Sequence, residues 1–183
     1  DCNIFLIDPT NKAITHFTEF QEYYTNNIPF KGNIQSDYYN IINTLKPNLN
    51  KFFYENIGLW NKEDNLKFYK QNIKSHVSQS VIENMFGNEY DIVYVNTIKS
   101  IMNKYNHNHI DLLKLDIEGA EINVLNNMLD DNIFPKYLCI EFDLKLKNKD
   151  FSNQTEKVIN RLIENGYKIL KNDDLNITFE HII

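Results

Sequence analysis

Residues 111–125, DLLKLDIEGAEINVL, decide the fold of this chain. Residues 112–117 are nearly continuous in apolar side chains, as is typical of a central strand in a parallel sheet. Glu118 and Gly119 then lead into a helix whose predicted inward side chains are Ile122, Leu125 and Leu129. The stretch therefore predicts a strand, a loop and a helix in succession, which is the repeating unit of an α/β fold.

The N-terminal part shows the same succession. Residues 4–7 form a short apolar run that ends at Asp8 and Pro9, which predicts a buried strand followed by a loop. Apolar side chains then recur at near-helical spacing until Pro29 interrupts them, so residues 11–45 predict two helices.

The middle of the chain predicts strands. Residues 51–59 and 66–69 have strand patterns and are separated by the polar turn NKEDN, which indicates a hairpin. Residues 91–95 predict a further strand, and Thr97 is placed to cap the helix that follows.

The C-terminal part predicts one more strand, a helix and a closing hairpin. Residues 137–142 repeat the pattern of a buried strand, and Asn153 with Glu156 forms a capping-box pattern at the start of a helix. Residues 167–170 and 177–182 predict two strands joined by a turn. Alternating strands and helices predict a mostly parallel sheet, and the hairpin adds antiparallel pairing at its end.

Composition limits the classes of partner. A length of 183 residues predicts one domain, residues 1–183. The formal net charge of -6, without a cluster of basic residues, argues against nucleic acid as a partner. The chain has no apolar run long enough to span a membrane and no targeting signal, so we expect no membrane association and a cytoplasmic location. The oligomeric state cannot be predicted.

Acidic residues stand at the ends of three predicted strands. They are Asp8, the pair Asp116 and Glu118, and the pair Glu141 and Asp143. Ligands of open α/β sheets lie beyond the carboxyl ends of the strands, so these side chains are candidates for a binding site. Asp8 suits the two hydroxyls of a ribose, but an Asp before Pro also commonly opens a turn.

Lys114, Asp116 and Glu118 alternate along the predicted strand and so share one face. Charges at the end of a buried strand are costly unless they are paired or used, which favours an acid, base or ligand-positioning role. The alternative is structural: Lys114 pairs with one carboxylate and Glu118 caps the next helix. His76, in the polar segment SHVSQS, is either part of a lid over the crevice or an ordinary surface residue.

With these residues identified, the chain resembles the FkbM-type methyltransferase family. The resemblance rests on IDPT, ENIGLW with LKFY, SHVSQS, IDLLKLDIEGAEINVL and LCIEFDL, which occur in this order between about residues 4 and 145. It implies a Rossmann-like class I methyltransferase fold that binds S-adenosylmethionine. It also implies methyl transfer to an acceptor, most often at an oxygen of a small molecule or glycan.

The resemblance also implies roles for individual residues. Asp8 would hold the ribose hydroxyls, and Asn56 and Ile57 would lie near the adenine. Asp116 and Glu118 would line the crevice by the methyl group, Asp116 contacting the cofactor as well. One carboxylate would take the proton of the acceptor, and Glu141 is a further candidate for that contact.

One feature departs from the family. Its first strand and glycine-rich loop should precede Asp8 by roughly 20 residues, whereas seven residues precede Asp8 here. We therefore expect an N-terminally incomplete fold: either the chain is a fragment of a longer protein, or a partner supplies the strand.

Two other functions stay open. Asp116 and Glu118 could bind a divalent metal in a nucleotide-sugar transferase or a phosphotransferase, although no further metal ligands can be named. The chain could also be a catalytically inert module that keeps the fold and binds a ligand or partner without turnover.

Overall fold

The computed structural model describes residues 2–31, 38–70, 79–83, 87–145 and 149–182. The chain divides into two compact units, Asp1–Gly58 (unit 1) and Leu59–Ile183 (unit 2). A single domain over residues 1–183 stays a prediction, because two compact units can belong to one folding domain.

The described residues of unit 1 form two strands and two α-helices. The strands β1 and β2 pair in parallel, and the two helices predicted between residues 11 and 45 are confirmed. Thr10 caps the first helix, because its hydroxyl accepts a hydrogen bond from the backbone nitrogen of Ala13 at 3.2 Å. In chain order the elements are β1 (Ile4–Ile7), α1 (Asn11–Asn26), α2 (Tyr38–Thr44), a short 3₁₀ turn (Leu49–Lys51) and β2 (Phe52–Glu55).

Aromatic side chains hold α1 against the strands of unit 1. Phe17 stacks on Tyr54 with ring centroids 5.2 Å apart, and Phe20 lies 5.5 Å from Phe52. Such ring pairs bury large apolar areas, so unit 1 packs mainly through aromatic contacts.

The first sheet of unit 2 has four strands. They are β3 (Gly58–Leu59), which begins at the boundary between the units, β4 (Asp64–Lys70), β5 (Gln79–Ser80) and β6 (Tyr90–Asn96), in the order β3-β6-β4-β5. The hairpin predicted from residues 51–59 and 66–69 is wrong, because β6 lies between β3 and β4. β4 instead pairs antiparallel with β6, and this packs Phe68, Val93 and Val95 into one core cluster.

The second sheet of unit 2 carries the stretch that decides the fold. Its strands are β7 (Leu112–Leu115), β8 (Tyr137–Glu141), β9 (Tyr167–Asp173) and β10 (Asn176–His181), in the order β7-β8-β10-β9. β7 and β8 are parallel, and β10 pairs antiparallel with both β8 and β9, which confirms the closing hairpin. β7 ends two residues before the predicted end.

The described part of unit 2 also has three helices: α3 (Ile98–Lys104), α4 (Glu121–Asp130) and α5 (Lys149–Glu164). Thr97 caps α3 as predicted, accepting from the backbone nitrogen of Ser100 at 3.1 Å. The capping box of Asn153 and Glu156 is wrong, because α5 already begins at Lys149. Asp150 lies in the first turn, where a carboxylate stabilises the positive end of a helix.

Sheet direction also differs from the prediction. In the described part of the chain, β1–β2 and β7–β8 are parallel, whereas β4–β5, β4–β6, β8–β10 and β9–β10 are antiparallel. A mostly parallel sheet is therefore not what these residues form. The fold is mixed α/β with several sheets, in which parallel strand pairs stand beside antiparallel ones.

Candidate functional site

The candidate site of unit 2 lies beyond the carboxyl ends of β7 and β8. These strands are parallel neighbours with Leu115 opposite Ile140, so both end at the same edge of the sheet. The predicted residues Asp116 and Glu118 follow β7, Glu141 is the last residue of β8, and Asp143 follows it. The sheet thus brings all three predicted catalytic residues to one edge.

These four acidic residues form what we call the carboxylate cluster: Asp116, Glu118, Glu141 and Asp143. The pKa of Asp143 is raised to about 6, first by burial and then by the negative charges of the other three members. Its Oδ2 atom is buried and has no hydrogen-bond partner among the described residues. An acidic site with an unsatisfied buried acceptor can receive a cation or a hydrogen-bond donor.

Lys114 neutralises one member of the cluster. Its Nζ atom lies 2.6 Å from Oδ2 of Asp116, while the side chains are 60% and 43% exposed. The pairing agrees with the face that the two residues share in the sequence pattern. The helix-capping role considered for Glu118 is wrong, since α4 has Ala120 at its N-cap and no side-chain cap bond.

The loop after β7 has an unusual backbone. Glu118 has φ +53° and Gly119 has φ +104°, so both lie in the left-handed region. A Cβ atom at Gly119 would lie 3.0 Å from Cγ1 of Ile82 and 3.2 Å from the side chain of Leu144. The loop therefore requires glycine at this position, both for its φ and for the close approach of neighbouring side chains.

Glu121 was missed by the sequence prediction. It is 1% exposed, and its Oε1 atom accepts hydrogen bonds from the backbone nitrogens of Ile117 and Gly119 at 3.1 and 3.0 Å. Burial is the main reason that its pKa is raised to about 7, and the charge of Asp143 raises it further. The sequence pattern predicts Ile122, Leu125 and Leu129 as the inward side chains, whereas the buried positions of α4 are 121, 124, 125, 128 and 129, so Glu121 takes the inward place predicted for Ile122.

The predicted cofactor residues of unit 1 also follow paired parallel strands. Asp8 follows β1 and Asn56 follows β2, and the backbone nitrogen of Asp8 donates to the carbonyl of Glu55 at 3.2 Å. Asn56 is exposed, whereas Asp8 and Ile57 are half-buried. Unit 1 therefore brings Asp8 and Asn56 to one edge of its two-stranded sheet.

Asp8 also opens a turn, as the alternative interpretation of this residue predicts. Its Oδ1 atom accepts a hydrogen bond from the backbone nitrogen of Thr10 at 2.8 Å. The hydroxyl of Tyr54 donates to the Asp8 carbonyl at 2.6 Å. Burial, together with the charge of Asp8, raises the pKa of Tyr54 to about 12. Asp8 is thus held in place by its neighbours.

His76, considered as part of a lid over the crevice, lies outside the described residues. Within the described ranges, no three His, Cys, Asp or Glu side chains are grouped so as to hold a metal ion. In the same ranges, no helix has both the length and the apolar character needed to cross a membrane.

Comparison with known proteins identifies one family. The model of the methyltransferase FkbM domain matches residues 6–169. No curated protein matches the chain significantly. The chain resembles the crystal structure of methyltransferase FkbM from Methylobacillus flagellatus KT with a TM-score of 0.50 and 12% sequence identity. The match covers 97% of this chain but 36% of that one, so it indicates a similar fold over about a third of the solved protein.

Proposed function

This chain belongs to the methyltransferase FkbM domain family, and from that membership we propose that it binds S-adenosylmethionine and takes part in methyl transfer to a hydroxyl oxygen. The acceptor that we propose is a small molecule or a glycan. In this proposal the described sheets form part of a Rossmann-like arrangement. In the described residues β1 has one strand neighbour and β7 has one, so a further parallel strand could pair with the open edge of either strand.

A single observation carries the proposal: four carboxylates converge at the ends of β7 and β8, and one has a buried oxygen without a donor. S-adenosylmethionine carries a positively charged sulfur and an ammonium group. The residues present fit this ligand, because a cation offsets the repulsion within the cluster and an ammonium group supplies the missing donor.

Each predicted residue has a part in this proposal. Asp8 binds the ribose hydroxyls, while Asn56 and Ile57 lie against the adenine. Asp116 lines the crevice by the methyl group and contacts the cofactor there. The hydrogen bond from the Thr10 backbone to the Asp8 carboxylate supports the ribose assignment, because a fixed carboxylate loses little conformational freedom when it binds a ligand.

When bound, S-adenosylmethionine supplies an electrophilic methyl group on its sulfur. Glu118 and Glu141 orient the acceptor hydroxyl and can accept its proton. Asp143 is an additional proton acceptor, since a carboxylate whose pKa is about 6 is still ionised at pH 7 and is more basic than an ordinary aspartate. Positioning of the acceptor and exclusion of water supply the rest of the rate enhancement.

The test is a calorimetric titration of S-adenosylhomocysteine, without added metal, into protein expressed from its complete reading frame. Saturable binding is expected, and we expect Asp8→Ala to weaken it by at least about tenfold, equivalent to the loss of a charge-assisted hydrogen bond. Asp111→Ala is a matched control, since Asp111 is exposed and precedes β7, at the opposite end of that strand from Asp116.

Absence of binding by folded protein refutes the proposal. Binding that is unaffected by Asp8→Ala refutes the ribose assignment but leaves the cofactor in place. Saturable binding without methyl transfer to any acceptor would instead indicate an inert module of the same family.

A further inference from the structure

Glu121 is a buried acidic residue for which the proposed methyl transfer has no direct use. It lies at the start of α4 and reaches back to the loop formed by residues 116–119. Its Oε1 atom accepts from the backbone nitrogens of Ile117 and Gly119, at 3.1 and 3.0 Å. Because Glu121 is 1% exposed, water is poorly placed to replace either hydrogen bond.

A second side chain holds the same loop from another element. The hydroxyl of Ser80, in β5, donates to the backbone carbonyl of Glu118, and it accepts from the backbone nitrogen of Ile82 at 3.0 Å. Ser80 is 0% exposed. The backbone nitrogens of Ile117 and Gly119 are thus bonded to α4, and the carbonyl of Glu118 is bonded to β5. Together these hydrogen bonds fix the left-handed backbone of Glu118.

Packing alone does not explain why a glutamate occupies position 121. An apolar side chain fills a buried helix position at lower cost than a carboxyl group. Glu121 is useful there because it offers one oxygen to two backbone donors that otherwise lack a partner in the interior. Its pKa of about 7 does not remove this function, since a protonated carboxyl group keeps a carbonyl oxygen that accepts both hydrogen bonds.

We propose that Glu121 is a positioning residue. By holding the backbone of residues 117–119, it sets where the side chains of Asp116 and Glu118 lie in the carboxylate cluster. This assignment rests on the proposed function. Glu121 touches neither cofactor nor acceptor. Ser80 completes the same support from β5.

The proposal predicts different outcomes for two substitutions at one position. Glu121→Ala removes the acceptor, whereas Glu121→Gln keeps a carbonyl oxygen at nearly the same place. Amide hydrogen exchange, measured without cofactor, should be at least about tenfold faster at Ile117 and Gly119 in Glu121→Ala, the change expected when about one net hydrogen bond is lost. Exchange in the β9–β10 hairpin should stay within about twofold of wild type.

Affinity for S-adenosylhomocysteine supplies the second readout. We expect a loss of about tenfold in Glu121→Ala and affinity close to wild type in Glu121→Gln. If Glu121→Ala does not fold, Ser80→Ala replaces it, with weaker cofactor binding expected because the carbonyl of Glu118 loses its donor.

Three outcomes would overturn the assignment. The first is unchanged amide exchange at Ile117 and Gly119 in Glu121→Ala. The second is an acceleration of exchange that is as large in the β9–β10 hairpin as in the loop. The third is loss of binding in Glu121→Gln as well as in Glu121→Ala. Faster local exchange with unchanged affinity also overturns it, because Glu121 would then be merely structural. Absence of binding by the wild type would be a failure of the proposed function, and the exchange data would still report separately on the loop.

Discussion

Lys114 and Asp116 form an ion pair along the end of β7, with Nζ 2.6 Å from Oδ2. Both side chains are largely exposed, and exposed pairs contribute little to stability because water screens them and their side chains lose entropy. A double-mutant cycle of Lys114→Met and Asp116→Asn should give a coupling energy below about 1 kcal/mol in urea denaturation.

The pair of Lys171 and Asp173 is a suitable control, because it has the same spacing on a strand and is also exposed, with an N–O distance of 3.3 Å. A coupling energy above roughly 2 kcal/mol for Lys114 and Asp116 alone would mean that the pair is structural. Asp116 would then be a weaker candidate for ligand binding.

Glu121 should contribute to the pH dependence of stability, as should Asp143, whose pKa is also raised, to about 6. The pKa of Glu121 rises from 4.5 in the unfolded chain to about 7 in the folded one, so between these values the folded protein binds more protons. The unfolding free energy therefore falls as pH increases through this window, by up to roughly 3 kcal/mol from this group.

Glu121→Gln removes that contribution, so its stability relative to wild type should improve steadily between about pH 4.5 and 8. Urea denaturation at four pH values measures the difference. Glu164→Gln, at an exposed position, controls for the loss of one negative charge. A difference between Glu121→Gln and wild type that does not change with pH would show that the carboxyl group is not perturbed as described.

Gly119→Ala should be more destabilising than the same change at Gly166. Both glycines have positive φ, +104° and +87°, so alanine is strained at either position. At Gly119 the new methyl group would also approach Ile82 at 3.0 Å. We expect a loss of about 2–3 kcal/mol at Gly119 and about 1 kcal/mol at Gly166 in denaturant unfolding. Equal losses would mean that the side chains around Gly119 adjust freely.

Tyr167→Phe should lower stability without affecting the site. The Tyr167 hydroxyl donates to the buried carbonyl of Pro135 at 2.9 Å, and burial raises its pKa. Removing the hydroxyl leaves that carbonyl without this donor, at an expected cost of about 1–2 kcal/mol in thermal or urea unfolding. Tyr94→Phe, whose hydroxyl bonds Glu63 at the surface, should cost less. Weaker S-adenosylhomocysteine binding by Tyr167→Phe would contradict the independence of Tyr167 from the site, since Tyr167 pairs with His181 at the end of the hairpin that lies away from Glu141.

Local patterns in the sequence predict local structure well. Thr97 precedes a helical stripe and caps α3, and the apolar run before Asp8 forms β1. The choice of strand neighbours is different, because it depends on residues far apart in the chain. NKEDN favours a hairpin by its composition, yet β4 gains a longer and better-packed partner in β6, about 25 residues later.

The site shows a similar division. Asp116, Glu118 and Glu141 could be placed at one edge because the ends of parallel strands meet there. Glu121 could not be identified in the same way, since a glutamate near a helix start is normally exposed and favoured by the helix dipole. Its burial depends on the backbone donors of a loop whose shape the sequence pattern does not reveal.

Glu118 carries a cost that matters for protein engineering. Its left-handed backbone is unfavourable for a residue with a long side chain and would be relaxed by glycine or asparagine. Glu118→Gly should therefore raise the melting temperature by a few degrees while removing a member of the carboxylate cluster. A selection for thermostability alone would favour this replacement, whereas under the proposed function a selection that also required methyl transfer would retain glutamate. If that function holds, the more stable protein and the more active one require different side chains at this residue.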